Sequence, residues 1–229
     1  MGYFSDFLAL FYPDYCLECH CSLVKGEEYL CSQCITKLPK THFHLQKDNP
    51  VEMLFAGRAP IFRATAFCFF HKEGIIQRLV HQLKYKQKGE VGKYLGFLFG
   101  LSLSESEDFQ SVDVILPIPL HVRKKRKRGY NQSELICSGM AKAMKKEYTC
   151  DLLIRTVNTK TQTKKNRYNR WENVSEVFKV ATPEKLAGKH ILLVDDVVTT
   201  GATLESAAHI LLEIPNTKVS IACLACAQR

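Results

Sequence analysis

The stretch that decides the fold reads Ile191-Leu-Leu-Val-Asp-Asp-Val-Val-Thr-Thr-Gly-Ala-Thr203. Its first four residues are apolar and predict a buried strand that delivers two carboxylates, Asp195 and Asp196, to the carboxyl edge of a sheet. Open α/β sheets bind their ligands at that edge. The hydroxyls and the glycine that follow predict a tight loop that leads into a helix.

The residue types in this stretch suit a ribose phosphate. Adjacent carboxylates can each accept a hydrogen bond from one of two neighbouring ribose hydroxyls. Thr199, Thr200 and Thr203, together with backbone amides at a helix start, suit a phosphate, and Gly201 lets the backbone close around the anion. The alternative is a strand that ends in two aspartates and is followed by a threonine helix cap. Because that alternative explains fewer of the features together, the pattern favours a ribose-phosphate site.

Apolar strands alternate with helical segments through the rest of the chain. This alternation predicts an α/β fold with a mostly parallel sheet covered by helices on both faces. The predicted strands are Arg63–Phe70, Val112–Pro117, Leu152–Val157, His190–Val194 and Val219–Ala225, and the predicted helices are Ile75–Leu83, a segment from about Ser133, and Ala202–Glu213.

Positive charge is the strongest feature of the composition. The 229 residues carry a formal net charge of +9, which favours partners that bear phosphate, whether small molecules, nucleic acid or acidic membrane surfaces. Six consecutive cations, Arg123–Arg128, lie between a predicted strand and a predicted helix. Such a run is usually a solvated surface, but its place at the ligand-binding edge favours a pyrophosphate or polyanion site that uses Arg123, Arg126 and Arg128.

The N-terminal part of the chain is rich in cysteine. Cys16-x-x-Cys19 and Cys31-x-x-Cys34 are two pairs with the spacing of a zinc knuckle, so we predict a closed structural zinc site. Free thiols and a redox pair are the alternatives. Cys21, His20, His42 and His44 could also serve as ligands, although histidines near a knuckle are more often surface residues. We expect a cysteine-rich module over residues 1–45 and an α/β domain over residues 60–229.

The overall composition indicates a cytoplasmic protein. The chain has no run of about 18 apolar residues, and its first residues lack the pattern of a signal peptide. Thiols stay reduced in the cytoplasm, so clustered cysteines among the ten in the chain point to a metal and not to disulfides. The five scattered cysteines, including the Cys223-x-x-Cys226 pair, have the pattern of buried core residues.

Three motifs carry a resemblance to known families. The stretch 191–203 resembles the 5-phosphoribosyl pyrophosphate (PRPP) signature of type I phosphoribosyltransferases. The loop Pro117-Ile-Pro-Leu-His, its basic run and Arg128-Gly-Tyr-Asn-Gln132 resemble the ComF/GntX family, named for DNA uptake during natural competence and for gluconate utilisation. Thr159-x-x-Gln162 with Arg170-x-x-Asn173 resembles the flexible loop of the glutamine amidophosphoribosyltransferases. The fold implied is a type I phosphoribosyltransferase fold preceded by a small zinc ribbon.

The resemblance also implies roles for residues. Asp195 and Asp196 would hold the ribose hydroxyls as catalytic residues, and the loop would hold the 5-phosphate through Thr199, Thr200, Gly201, Ala202 and Thr203. Arg128, Gln162 and Arg170 would close over the pyrophosphate, and magnesium would accompany PRPP. Arg170 is equally consistent with a surface cation or an ion-pair partner. We expect no glutaminase half, so the resemblance to the amidotransferases stops at PRPP.

Two functions remain open at this point. One is a phosphoribosyltransferase that acts on an unidentified acceptor, for which the sequence offers no obvious covering segment between the cysteine module and the sheet. The other is a module that binds single-stranded DNA through its cations, in contact with other proteins of the competence machinery. A folded remnant with structural zinc alone is disfavoured, because the signature residues are all present.

Overall fold

A computed structural model describes residues 13–83, 89–120, 126, 129–156 and 177–227. Its main sheet has the strand order β1-β7-β6-β2-β3, and every paired neighbour in it is parallel. The predicted mostly parallel sheet is therefore confirmed. The strands of this sheet are β1 (Ala64–Phe70), β2 (Val114–Pro117), β3 (Glu147–Tyr148), β6 (His190–Val198) and β7 (Lys218–Ala227).

Strand β6 lies in the interior of the sheet, paired with β2 on one side and β7 on the other. Its apolar residues alternate between the two faces, because Leu192 and Val194 join one buried cluster while Ile191 and Leu193 join the other. The strand also runs further than the sequence predicted. It continues through Asp195 and Asp196 and ends at Val198, since pairing with β7 extends to that residue.

Helices cover both faces of the sheet, as predicted. One face packs against α2, α3 and α5, and the other packs against α6. The sequence predicts no helix over α3 (Glu90–Leu103), because three glycines interrupt its apolar residues. The described helices are α1 (Ser32–Thr36), α2 (Ile75–Gln82), α3 (Glu90–Leu103), α4 (Glu107–Gln110), α5 (Gln132–Met144) and α6 (Ala202–Leu212).

Helices α3 and α5 approach each other so closely that glycine is required at their contact. A Cβ atom at Gly139 would lie 1.9 Å from the carbonyl oxygen of Lys93, and one at Gly96 would lie 2.2 Å from the carbonyl oxygen of Ile136. Neither backbone oxygen can move without displacing its helix. The glycines that hid α3 from the sequence analysis are therefore what allows α3 to pack here.

The predicted strand Leu152–Val157 does not join the main sheet. Only Leu153–Arg155 forms a strand, β4, and it pairs antiparallel with β5 (Phe178–Val180) in a separate two-stranded sheet; residue 157 lies outside the described residues. Leu153 and Phe178 bury themselves in the cluster under α6. An apolar run of this length predicts a strand but says nothing about its partner, which explains the error.

The cysteine-rich segment packs against the face that α2 and α3 cover. Cys16, Leu30 and Cys34 are at most 4% exposed and belong to the same buried cluster as Phe67 and Leu79. The backbone amide of Thr41 then donates to the carbonyl of Phe67 in β1. The segment thus gains buried apolar surface from the sheet, and the division of the chain into two domains stays a prediction.

Residues 43–58 form a second connecting segment, on the other face of the sheet. Two short 3-10 helices, Phe43–Leu45 and Glu52–Leu54, lie in this segment. The buried Asn49 side chain holds it down, because its Nδ2 donates to the carbonyl oxygens of Ala64 in β1 and of Phe43, at 2.9 and 3.3 Å. None of the described helices combines the length and apolar character needed to cross a membrane.

Gly139→Ala tests the helix contact. Alanine favours an isolated helix by about 1 kcal/mol over glycine. We nevertheless expect the free energy of unfolding to fall by roughly 2 kcal/mol, because the new methyl group overlaps the Lys93 carbonyl. Urea denaturation measures the change, and Ser138→Ala, at the half-buried neighbouring position, is the control. A Gly139→Ala protein as stable as the parent would contradict this packing.

Candidate functional site

The loop after β6 forms a small hollow at the carboxyl edge of the sheet. The hollow has a volume of about 60 Å³ and is lined by Asp195 and by residues 197–204. Gly201 has a φ of +77°, in the left-handed region that favours glycine, and this turn directs the chain into α6. The structure therefore brings together the predicted loop residues Thr199, Thr200, Gly201, Ala202 and Thr203, and sets them beside Asp195 at a helix N-terminus.

The acidic pair lies in the last part of β6, above this loop. Burial, and next the charge of Asp196, raise the pKa of the Asp195 carboxyl to about 7. Two donors act in the opposite direction: the backbone amide of Asp196 at 2.9 Å and the Ser133 hydroxyl at 3.1 Å both donate to Asp195 Oδ1. The net effect is a raised pKa, so a ligand that donates hydrogen bonds to Asp195 favours its ionised form.

The sequence analysis did not predict the contact between Ser133 and Asp195. The Ser133 hydroxyl is nearly buried and comes from the first turn of α5, directly after the basic loop. Asn131 fixes the start of that helix, because its Oδ1 accepts from the Ser133 amide at 3.2 Å while its Nδ2 donates to the Ile118 carbonyl at 2.9 Å. The Asn-x-Ser order was visible as a helix start, but nothing in it indicated contact with a residue 62 positions away.

Segment 43–58 contacts the loop 199–203, and the sequence analysis did not predict this contact. Arg58 donates to the carbonyl oxygen of Thr200 at 3.1 Å and forms an ion pair with Glu205 in the first turn of α6. A Cβ atom at Gly201 would lie 3.0 Å from Cε1 of Phe55. The sequence offers no obvious covering segment between the cysteine module and the sheet, but in the structure residues of segment 43–58 contact the loop itself.

Positive charge near the acidic pair comes from Arg155, at the end of β4. Its charge lowers the pKa of Asp195, and its guanidinium lies 5.5 Å from the ring centroid of Phe178. Of the predicted polyanion ligands, Arg126 is described and exposed. The others, Arg123, Arg128, Gln162 and Arg170, lie outside the described residues, so their roles stay predictions.

Four cysteines form a second candidate site, on the face of the sheet that α2 and α3 cover. The Sγ atoms of Cys16, Cys19, Cys31 and Cys34 all lie within 4.8 Å of one another, and this group can hold a metal ion. Hydrogen bonding, first from the backbone of Cys21, lowers the pKa of the Cys19 thiol to about 6, which favours the thiolate that metals bind.

The remaining candidate ligands stand outside this group of four. Cys21 Sγ lies 3.2 Å from Cys19 Sγ but is not a member of the group. His44 Nε2 lies 3.6 Å from a carboxylate oxygen of Glu105. Of the scattered cysteines, Cys68, Cys137, Cys223 and Cys226 are buried and Cys150 is half-buried, in keeping with the core role predicted for most of them.

Comparison with known proteins gives similarities at the level of family and of whole chain. The family model of the phosphoribosyl transferase domain matches residues 131–229. The chain is 31% identical to "DNA utilization protein YhgH" of Escherichia coli O157:H7, over 95% of this chain and 92% of that protein. It is 27% identical to "Competence protein ComFC" of Bacillus subtilis, over 83% of this chain and 81% of that protein.

A solved structure with a similar backbone is the glutamine PRPP amidotransferase of Bacillus subtilis in complex with ADP and GMP. The likeness covers 58% of this chain and 26% of that chain, at 21% identity and a TM-score of 0.42.

Ser133→Ala tests the contact between α5 and the acidic pair. Loss of a hydrogen bond to a charged group is worth about 1.5 kcal/mol. Because the Ser133 hydroxyl stabilises the ionised form, we expect the pKa of Asp195 to rise by about one further unit. Carboxyl ¹³C NMR titration measures this pKa, with Asp195→Asn to assign the signal. Ser102→Ala is the control, because it removes a hydroxyl that donates within α3 and should leave the pKa of Asp195 unchanged. The same pKa in the parent, in Ser133→Ala and in Ser102→Ala would contradict the contact.

Proposed function

Because the chain belongs to the ComF-like family of type I phosphoribosyltransferases, which includes YhgH and ComFC, we propose that it binds PRPP and transfers the phosphoribosyl group to an acceptor. One observation carries this proposal. The Asp195–Asp196 pair on β6 leads into a glycine-closed hollow at the N-terminus of α6, where hydroxyls and backbone amides surround a space of anion size.

Each part of the site has a task in this proposal. The carboxylates of Asp195 and Asp196 accept hydrogen bonds from the 2- and 3-hydroxyls of the ribose, which fixes the ring. Thr199 to Thr203 bind the 5-phosphate through hydroxyls and amides. With both ends held, carbon 1 faces the acceptor, the bond from carbon 1 to pyrophosphate breaks, and the acceptor's lone pair forms the new bond. The basic loop, through Arg123, Arg126 and Arg128, with Gln162 and Arg170, stabilises the departing pyrophosphate.

Magnesium fits the donors at this site, because carboxylates and phosphate oxygens are the ligands that it prefers. Asp195 and Asp196 would lie beside it, and most of its ligands would come from PRPP and water. When bound, it supplies positive charge that neutralises the pyrophosphate.

We also propose that Cys16, Cys19, Cys31 and Cys34 hold a structural zinc ion. Four thiolates at a Zn–S distance of about 2.3 Å in a tetrahedron lie about 3.8 Å from one another. The sulfurs of Cys19 and Cys31 are 3.6 Å apart, and all four lie within 4.8 Å. The cluster therefore needs little adjustment to close around zinc.

A second candidate function is binding of single-stranded DNA, in contact with other proteins of DNA uptake. The names of the relatives, which refer to DNA utilization and to competence, favour it, as does the net charge of +9. In this case the cations of residues 123–128 contact DNA phosphates, and the PRPP pocket serves as a sensor.

The test of PRPP transfer is binding followed by pyrophosphate release. Isothermal titration should give magnesium-dependent PRPP binding, weakened roughly a hundredfold when both Asp195 and Asp196 become Asn, because two charge-assisted hydrogen bonds are lost. Because the carboxylate form of Asp195 binds ribose, affinity in the parent should fall as the pH drops below about 7. A Ser133→Ala protein should show this fall at higher pH. Glu184→Gln, at a carboxylate that does not line the hollow, is the charge control.

Unchanged PRPP affinity in the double Asn variant would overturn the proposed pocket. Labelled single-stranded DNA, titrated in the same buffers, separates the two candidate functions. DNA binding that weakens steeply with added salt, without pyrophosphate release from any acceptor, would favour the second candidate.

The zinc proposal predicts one zinc per chain in protein purified without added metal, measured by plasma mass spectrometry. Cys34→Ser should lose the metal and unfold at a lower temperature, because a structural zinc site contributes folding free energy directly. Cys21→Ser is the matched control, since its sulfur lies next to the group but outside it. Retention of zinc by Cys34→Ser, or loss from Cys21→Ser, would show that the ligands are assigned wrongly.

A further inference from the structure

A cavity of about 500 Å³ lies between segment 43–58 and the carboxyl ends of three strands. Leu54 and Phe43 belong to the segment, while Phe69, Val198 and Cys226 come from the ends of β1, β6 and β7. This volume lies within the range of small-molecule sites, of about 300–1,000 Å³, and far exceeds what ammonia or water needs.

The cavity adjoins the hollow after β6, where we propose that the 5-phosphate binds. Val198 and Thr199 line both spaces, so they form a common wall. A ribose whose phosphate lies in the hollow is therefore next to anything that lies in the cavity. The cavity is therefore the candidate for the space that an acceptor occupies.

Segment 43–58, which forms one wall of the cavity, is held in place by polar contacts. Arg58 donates to the carbonyl oxygens of Leu54 and Thr200, at 3.0 and 3.1 Å, and so joins this segment to the loop 199–203. Glu52, two residues before Leu54, pairs with Arg63, which is only 7% exposed in its side chain. These contacts are made within the chain, so the fold itself shapes the cavity.

The lining of the cavity is almost entirely apolar. Phe43 and Phe69 pack edge to face with centroids 5.5 Å apart, and Leu54 and Val198 add aliphatic surface. Among the described residues that line it, only Thr199 carries a hydroxyl and none carries a charge. Burial raises the pKa of the Cys226 thiol to about 11, so this wall is uncharged at neutral pH.

This lining discriminates between classes of acceptor. A charged amine would lose its hydration without gaining a partner. A nucleobase with several donors and acceptors on its edge would leave most of them unpaired against these side chains. A flat, largely apolar aromatic ring would instead pack against the phenylalanines, and its few polar atoms would face Thr199 and the ribose.

We propose that this cavity binds the acceptor, and that the acceptor is an uncharged aromatic heterocycle with an apolar ring, in preference to ammonia or a polar nucleobase. The inference rests on the proposed phosphoribosyl transfer. In the transfer, the lone pair of a ring nitrogen forms a bond to carbon 1, the bond from carbon 1 to pyrophosphate breaks, and pyrophosphate leaves with the bonding electrons. The attacking nitrogen bears no hydrogen, so the ring carries a positive charge until the hydrogen on the other ring nitrogen departs to water as a proton.

The experiment uses the full chain with PRPP and magnesium, and benzimidazole as the apolar ring. Adenine, uracil and ammonium are the comparison acceptors. Pyrophosphate release and direct ligand titration should both favour benzimidazole, by roughly tenfold or more over adenine, since each unpaired polar group weakens binding by about that factor. Leu54→Glu should weaken benzimidazole binding by roughly tenfold or more, because it places a carboxylate among the phenylalanines.

Met53→Glu is the matched control, because Met53 is the neighbouring residue, is 60% exposed and does not line the cavity. If Leu54→Glu does not fold, Leu54→Ala keeps the test open; it should weaken benzimidazole binding several-fold by removing contact surface.

Ammonium or adenine supporting faster release than benzimidazole would overturn the inference, and so would benzimidazole binding that is indifferent to Leu54. The two proposals fail separately. If the parent protein does not bind PRPP, the proposed transfer reaction is overturned. If it binds PRPP but not benzimidazole, only the acceptor assignment is overturned.

Discussion

Hydrogen bonding on both sides of strand β6 is the constraint on which the rest of the site depends. Because β2 and β7 pair with this strand, and β7 follows it to Val198, the acidic pair stands on a rigid support instead of a free loop. The turn at Gly201 then has one direction available, into α6. Carboxylates, hydroxyls and helix amides are thereby fixed in one orientation before any ligand arrives, which lowers the entropy that binding must offset.

Holding Asp195 on this buried strand has an energetic cost, because its carboxyl is desolvated. Keeping a carboxyl at the end of a buried strand removes it from water, and the charge of Asp196 adds to the effect, so its pKa rises to about 7. Ser133 and the amide of Asp196 offset part of this cost. A site of this kind responds to hydrogen-bond donors, because each further donor to the carboxyl lowers its pKa.

The sequence revealed the parts of the site that are contiguous and missed those that are not. Asp195 to Thr203 could be identified because strand, carboxylates, loop glycine and helix start follow one another in 13 residues. Ser133, Arg58 and Leu54 reach the same place from 62 to 147 residues away, and no local pattern encodes such a meeting. Helix α3 was missed for a related reason, since its glycines weaken a helical pattern and make sense only beside α5. The strand Leu153–Arg155 was identified, but its partner, Phe178–Val180, was not.

The position of β1 at the edge of the sheet has a consequence for how the chain folds as it is synthesised. Within the described sheet β1 pairs only with β7, in a register that joins Ala64 to Ile221. About 150 residues must therefore leave the ribosome between the first strand and its partner, at a rate of about 5–20 residues per second. During that interval an apolar strand has no sheet to join, and such exposed strands are sites of aggregation. Residues 39–41, which hydrogen-bond to Phe67 and Phe69 of β1, are close to it in sequence and can cover this strand before β7 is available.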